Sequence, residues 1–350
     1  MTEQNSFPRH VHLVGAIGLD TVSETFATVG RILGNRLVRV PDGEPGGRRM
    51  WIAWQFPLLR ANPYLQAVPP APGASVINFP LMRLADGVDP RELTFCELGY
   101  AREARASYLD FKAAQSAGQI PSHARFQVSL PTPYAVVSAF CARDEHQPAI
   151  ERAYERAMAR EVEMLCAQIP HRALAIQWDV CPEMLVWDGR LPRMANLFAD
   201  PHAEMLARLE RVCNYVPPDV ELGFHLCYGD VDGRHFIEPQ DAARMVELAN
   251  ALTRALSRPI AYFHMPVPME RADAEYFRPL AGLKLGPGTE LYLGCVHAAD
   301  GVEGTRRRIA AARAFAPDFG IATECGMGRC KTPEVVARLL EIHAGAAAPA

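Results

Sequence analysis

The sequence predicts a single (β/α)8 barrel of the TIM type, an α/β fold with one parallel sheet wrapped by helices. Three observations carry that expectation. Short β-branched, apolar runs alternate with longer amphipathic stretches along the chain. The 350 residues leave room for eight such units. No repeat, low-complexity tract or interior linker divides them, so residues 1–350 read as one domain.

The elements follow in order. The expected strands are His12–Ala16, Leu37–Val40, Arg125–Leu130, Ala173–Trp178, Glu221–Phe224, Ile260–Phe263, Glu290–Leu293 and Phe319–Ala322. Apolar residues at three- and four-residue spacing predict helices over Glu97–Ala117, Gln147–Gln168, Pro201–Cys213, Gln240–Ser257, Val302–Ala314 and Pro333–His343. Val22–Leu33 and Arg49–Leu59 supply the first two helices, and Arg271–Leu280 holds a short one. Pro201, Pro239 and Pro333 fit helix starts, where a missing N–H costs nothing. Asn62–Ser75, rich in Pro and Ala, reads as an extended surface insertion after the second strand, within an interval of about residues 60–95. The tail, residues 344–350, is expected to fray.

Composition narrows the function. A formal charge of −4 excludes the basic footprint of a nucleic-acid binder. No apolar run reaches the roughly 18 residues that span a bilayer. The start, Met1 to Pro8, lacks the blocks of a signal peptide. A soluble cytoplasmic protein with small-molecule partners is expected, with a homodimer left open. The nine cysteines show no disulfide-framework spacing, so most are buried thiols or ligands.

In such a barrel the chemistry sits at the carboxyl ends of the strands. Those ends carry Asp42 and Glu44, Asp179, His225 and Cys227, His264, His297, and Glu324 with Cys325. Residues two apart on a strand face the same side. His225 and Cys227 would therefore both face the mouth, a borderline-soft pair that suits zinc, with Cys325 a third ligand across it. Singly, each cysteine also reads as a small buried hydrophobe and His225 as a hydrogen-bonded core residue. Asp179 would be expensive to bury unpaired. Trp178, Trp187, Tyr228 and Tyr262 read as an aromatic wall or as ordinary core. Glu44 would pair with a substrate ammonium or with Arg48 or Arg49. His297 reads equally as a proton donor or a hydrogen-bonded supporting residue. Cys96, Cys141, Cys166 and Cys213 read as structural, and Cys181, Cys295 and Cys330 flank the site without a role.

At these residues the chain resembles the catalytic barrel of cobalamin-independent methionine synthase, within the uroporphyrinogen decarboxylase/methionine synthase-like superfamily. The resemblance runs from Gly15-Ala-Ile-Gly18 to the last helix. His225-Leu-Cys227-Tyr228 is similar to that family's His-x-Cys zinc motif, Glu324-Cys325-Gly326 to its acidic-Cys-Gly motif, and Ile176-Gln177-Trp178-Asp179 with Pro182 to its Ile-Gln-x-Asp-Glu-Pro segment. Asp42-Gly43-Glu44 and His297 match more weakly. The resemblance implies a zinc-dependent transferase that activates a substrate thiol for methyl or alkyl transfer. Glu44 and Asp179 would hold an amino-acid thiol, with His297 as general acid. From the residues themselves, Asp42, Trp178 and Tyr228 are further substrate-contact candidates, and Asp179 is also a catalytic candidate that binds substrate or orients a metal ligand.

Three departures stand out. The family's fourth zinc ligand is a Glu at the end of the sixth strand, where this chain has His264, a substitute ligand if the metal keeps four protein groups. The Glu after the fourth-strand Asp is replaced by Val180-Cys181. The duplicated barrel of the long synthases, which handles polyglutamyl folate, has no counterpart in these residues. If His264 is bound, the His2Cys2 set lies between a thiol-activating His-Cys-Cys site and a water-activating site of three histidines. A metal-dependent lyase or hydrolase acting on a small, even aromatic, organic substrate is therefore the alternative, and a non-catalytic ligand-binding relative the third reading.

Overall fold

The computed structural model describes residues 10–68, 79–230, 234–329 and 331–347. The start of the chain, residues 69–75 of the expected insertion, Cys330 and the last three residues of the tail lie outside the described residues.

The main sheet has seven parallel strands. They are β1 (Arg39–Pro41), β4 (Arg125–Pro131), β5 (Leu174–Val180), β6 (Glu221–Leu226), β7 (Tyr262–Pro266), β8 (Glu290–Val296) and β9 (Gly320–Thr323), paired in that order. Helices cover one face and side chains fill the curled interior, so the strands are buried on both sides; every residue of β5 is buried. The missing members, β2 (Leu65–Val68) and β3 (Leu81–Leu84), form a separate antiparallel ribbon. The ribbon lies in the interval read as an insertion.

Twelve α-helices are present among the described residues. The long ones match the apolar spacing closely: α1 (Val22–Leu33), α3 (Tyr100–Ser116), α5 (Gln147–Gln168), α8 (Pro201–Cys213), α9 (Ala243–Ala255), α11 (Gly301–Arg313) and α12 (Pro333–Ala346). Pro201 and Pro333 open their helices as expected, but Pro239 does not, because α9 begins four residues later. The expected helix Arg49–Leu59 is broken into two 3-10 turns and the short α2 (Phe56–Arg60). The break falls at Trp51, whose φ of 55° is left-handed and cannot continue a helix. Three short helices begin at prolines that sequence spacing did not single out: α4 (Pro133–Phe140), α6 (Pro182–Asp188) and α7 (Pro192–Ala195). Finally, α10 (Ala274–Phe277) fills the link after β7. No described helix is long and apolar enough to cross a membrane.

One expected strand, His12–Ala16, is not formed. Only Val11 pairs, with isolated parallel bridges to Leu37 on one side and Ile321 on the other. The next carbonyls turn inward instead. Gln127 Nε2 donates to Leu13 O at 3.0 Å, Gln177 Nε2 to Val14 O at 2.6 Å, and Ser129 Oγ to Val14 O at 3.0 Å. Buried side-chain amides thus replace the ladder partners this segment would need.

The amino ends of the strands are tied by a different device. Arg39, 5% exposed, donates to Glu221 Oε2 through Nε and to Glu290 Oε2 through Nη1, both at 2.6 Å. Arg125 adds a 2.8 Å contact to Glu221. These charges begin β1, β4, β6 and β8, so one cluster joins four strands. Burial alone would raise the Glu290 carboxyl, but His10 and Arg39 hold it down at about 2, against an ordinary 4.5. A carboxylate held down in this way contributes its stability above pH 4.5 and loses it as pH falls toward 2. We expect Arg39→Ala to cost about 3 kcal/mol in urea unfolding, since it removes the guanidinium from Glu290 and leaves Glu221 to Arg125 alone. It should also flatten the acid limb of the stability profile; an unchanged profile would show that the cluster contributes nothing.

Candidate metal centre

Strand β6 sets the first two residues of the site. Its ladder continues one residue past the strand, because Cys227 N–H donates to Val180 O at 2.9 Å. His225 and Cys227 therefore stay on the same side, facing the interior. Cys325 arrives from the loop after β9. Thr323 Oγ1 donates to Cys325 O at 2.7 Å, and Met327 N–H to Ala16 O at 2.6 Å, which pins that loop to the first segment. Donor atoms of His225, Cys227 and Cys325 lie within 4.8 Å of one another, and the two sulfurs are 3.9 Å apart.

A hydrogen-bond relay fixes which nitrogen His225 offers. His264 Nε2 lies 3.0 Å from Thr323 O, which can only accept, so Nε2 carries a proton. Burial pushes the His264 pKa well below its ordinary value, so the ring is neutral and Nδ1 is a lone pair. That Nδ1 is 2.7 Å from His225 Nδ1, which must be the donor. His225 Nε2 is left buried, with no hydrogen-bond partner among the described residues. Both nitrogens of His264, read from the sequence as a substitute ligand, are thus engaged with protein groups and neither faces the sulfurs.

The electrostatics favour a thiolate. Contact with Cys227 and then with His225 holds the Cys325 thiol well below its ordinary value, against the opposing effect of burial. Arg329 adds a guanidinium 3.9 Å from the same sulfur. Burial would lower His225, but the neighbouring Cys325 raises it. Cys227 is held up, first by contact with Cys181 and then with Cys325.

A cavity of about 90 Å³ opens beside the cluster, with Glu44, Asp179, Trp51 and Arg329 among its walls. Asp179 accepts from Gln177 Nε2 at 2.8 Å and Trp51 Nε1 at 3.1 Å, and burial raises it to about 6. Glu44 is held well above its ordinary value by burial and then by Asp179 and Asp42. Its φ of 50° is strained for a non-glycine, and its backbone N–H donates to Asp42 Oδ1.

Three expected substrate contacts are not in this cavity. Asp42 is committed to Arg48 at 2.8 Å and Ser107 at 2.7 Å. Trp178, between inward-facing Gln177 and Asp179 on β5, is fully buried on the helix side. Tyr228 is buried with its hydroxyl donating to Asp188 Oδ2 at 2.9 Å. Trp187 stacks on His202, and Tyr262 fills the sheet interior, donating to Gln177 Oε1. The aromatic walls are Trp51 and Phe236, which sequence spacing did not single out.

His297 lies in a second, larger cavity of about 670 Å³, with Glu324, His235 and Lys331. Gly229, Asp230 and Cys325 line both cavities. Burial and then Arg308 lower His297 to about 4, so it is neutral. Its Nε2 lies 2.9 Å from Val267 O, and its Nδ1 faces Glu324 Oε2 at 3.5 Å. Burial and the nearby Glu238 hold the Glu324 carboxyl well above its ordinary value.

Among solved structures this chain is similar to a B12-independent methionine synthase from Shewanella sp. W3-18-1 in complex with selenomethionine. The TM-score is 0.59 at 14% identity, over 96% of this chain and 97% of that one. The chain has the fold of B12-independent methionine synthase. A putative vitamin-B12-independent methionine synthase from Listeria monocytogenes matches with TM-score 0.54 and 11% identity, over 93% and 84% of the two chains. A methyltransferase from Methanosarcina mazei matches at 0.50 and 11%, over 97% and 96%. No protein-family model matches the chain, and no curated protein matches its sequence. At such identities the likeness carries the architecture; the chemistry must be argued from the site.

The relay has a direct readout without any metal. Long-range ¹⁵N–¹H NMR spectra of the protein should show His225 protonated at Nδ1 and His264 at Nε2. The opposite tautomer at His225 would overturn the relay.

Proposed function

We propose that this protein is a zinc-dependent transferase that alkylates or methylates a small substrate thiol, on a closed eight-position barrel whose eighth position is the segment around Val11. The observation that carries the reading is the convergence of two sulfurs and one orphaned imidazole nitrogen beside a carboxylate-lined cavity. The donor set suits zinc. Two sulfurs each about 2.3 Å from a tetrahedral centre lie roughly 3.8 Å apart, close to the 3.9 Å between Cys227 and Cys325. An unpartnered buried nitrogen is costly unless something binds it. Zinc held by His225, Cys227 and Cys325 would keep a substrate sulfur as thiolate near neutral pH, where a free thiol of pKa about 8.5 is mostly protonated.

The chain's own residues do the rest. Glu44 and Asp179 are pushed up by burial, so a substrate ammonium between them would relieve the cost of their ionisation. This favours an amino-acid-like thiol, in keeping with the selenomethionine in the Shewanella structure. Trp51 orients Asp179 and shields it from water. The alkyl donor takes the larger cavity, and Cys325, on the wall common to both, sets the two reactants against each other. His297 and Glu324 handle the leaving group's proton between Nδ1 and Oε2.

The lyase or hydrolase reading drew its support from a second histidine ligand. His264 spends both nitrogens elsewhere, which leaves that reading with the weaker case. Purified protein should carry about one zinc per chain, and Cys227→Ala or Cys325→Ala should lose it; metal-free wild-type protein would overturn the proposal. Turnover that needs no added thiol would replace it with the lyase or hydrolase reading. His297→Gln should lower kcat on the order of 100-fold while zinc content stays unchanged; full turnover in that variant would remove His297 from the mechanism.

A further inference from the structure

Resting on that zinc reading, we propose that Phe236 is the specificity-determining residue of the thiol cavity: its ring closes that cavity and limits the substrate to a short-chain thiol. The argument begins with where two consecutive side chains go. His235 lines the larger cavity, of about 670 Å³, and Phe236 the smaller one, of about 90 Å³. The backbone here therefore runs along the boundary between the two spaces. Gly229 and Asp230, earlier in the same connection, line both.

The ring is held in place from several sides. Phe236 N–H donates to Tyr228 O at 2.9 Å, one residue past the ligand Cys227. The ring lies so close to Gly229 that an added Cβ would sit 2.3 Å from Cδ2. The φ of Gly229 is 92°, so glycine there serves both the left-handed turn and the approach of the ring. The Arg193 guanidinium lies 5.6 Å from the ring centroid. The preceding residue is fixed as well, with His235 Nδ1 at 2.8 Å from Glu238 Oε2.

The other walls leave this task to Phe236. Gly15, Ala16, Gly326 and Gly328 have almost no side chain to shorten, and Trp51 is committed to Asp179 through Nε1. An apolar ring acts on chain length by sterics. A space of about 90 Å³ is the share of roughly three waters, enough for a short chain only. Each methylene buried in a matching space strengthens binding about fourfold. That gain ends where the chain meets the ring, because a packed wall resists extra atoms. A longer chain would also enter the space that the alkyl donor takes.

Calorimetric titration of the zinc-loaded wild-type protein with 2-mercaptoethanol, 4-mercaptobutanol and 6-mercaptohexanol tests the idea without mutation. No gain in affinity is expected from the four-carbon to the six-carbon thiol. Affinity that keeps climbing about fourfold per methylene would overturn the proposal while leaving the zinc site standing. Protein without zinc, or zinc-loaded protein that binds none of the three thiols, would overturn both. In Phe236→Ala the six-carbon thiol should bind about tenfold more tightly than the four-carbon one. If that variant loses its zinc, Phe236→Leu reads the same limit, with a smaller gain expected. The wild-type profile in a zinc-loaded variant would exclude Phe236 as the wall that sets chain length.

Discussion

The site depends on two buried amides. Gln127 and Gln177 take the carbonyls of Leu13 and Val14 inside the curled sheet, and so draw the first segment out of the ladder and into the interior. Gly15 then passes so close to Glu44 that an added Cβ would sit 2.9 Å from Oε1. Gly15 and Ala16 become a wall of the small cavity, and Ala16 anchors the loop that delivers Cys325. Gln177 also donates to Asp179 and accepts from His12 and Tyr262. Tyr262 can reach across only because its β6 neighbour is Gly223, where a Cβ would lie 2.2 Å from the phenol ring. One set of satisfied polar contacts therefore places a carboxylate, a cavity wall and a cysteine loop together.

Periodicity in the sequence is strong evidence where burial follows it. The helices from Gln147, Pro201 and Val22 are legible to the residue because one face of each packs on the sheet. His225 and Cys227 are legible for the same reason at period two, and Cys325 follows from its place after the last strand. The strand ends are less legible. Strands β5, β6 and β7 run two to three residues past their apolar runs, because pairing in the ladder outweighs the poor strand propensity of Asp179, His225 and His264.

What the sequence hides is direction. Composition alone made Trp178 and Tyr228 candidates for a substrate wall, but alternation sends Trp178 to the helices and a carboxylate claims Tyr228. Asp42 looks like a partner of Glu44, yet Arg48 and Ser107 neutralise it first. His264 has the right place for a ligand and the wrong hydrogen bonds. Trp51 reaches Asp179 from 128 positions away, a contact that no local pattern encodes.

The charge cluster around Arg39 and the metal-site residues occupy opposite ends of the same strands. Cohesion is supplied at one end and reactivity at the other, with several layers of packed side chains between them. Such a division makes the two properties separately heritable. Loops around the mouth can exchange residues and drift toward new electrophiles while the ionic base keeps the sheet joined. Changes at Arg39, Glu221 or Glu290 would instead loosen β1, β4, β6 and β8 together, whatever substrate the mouth had come to accept.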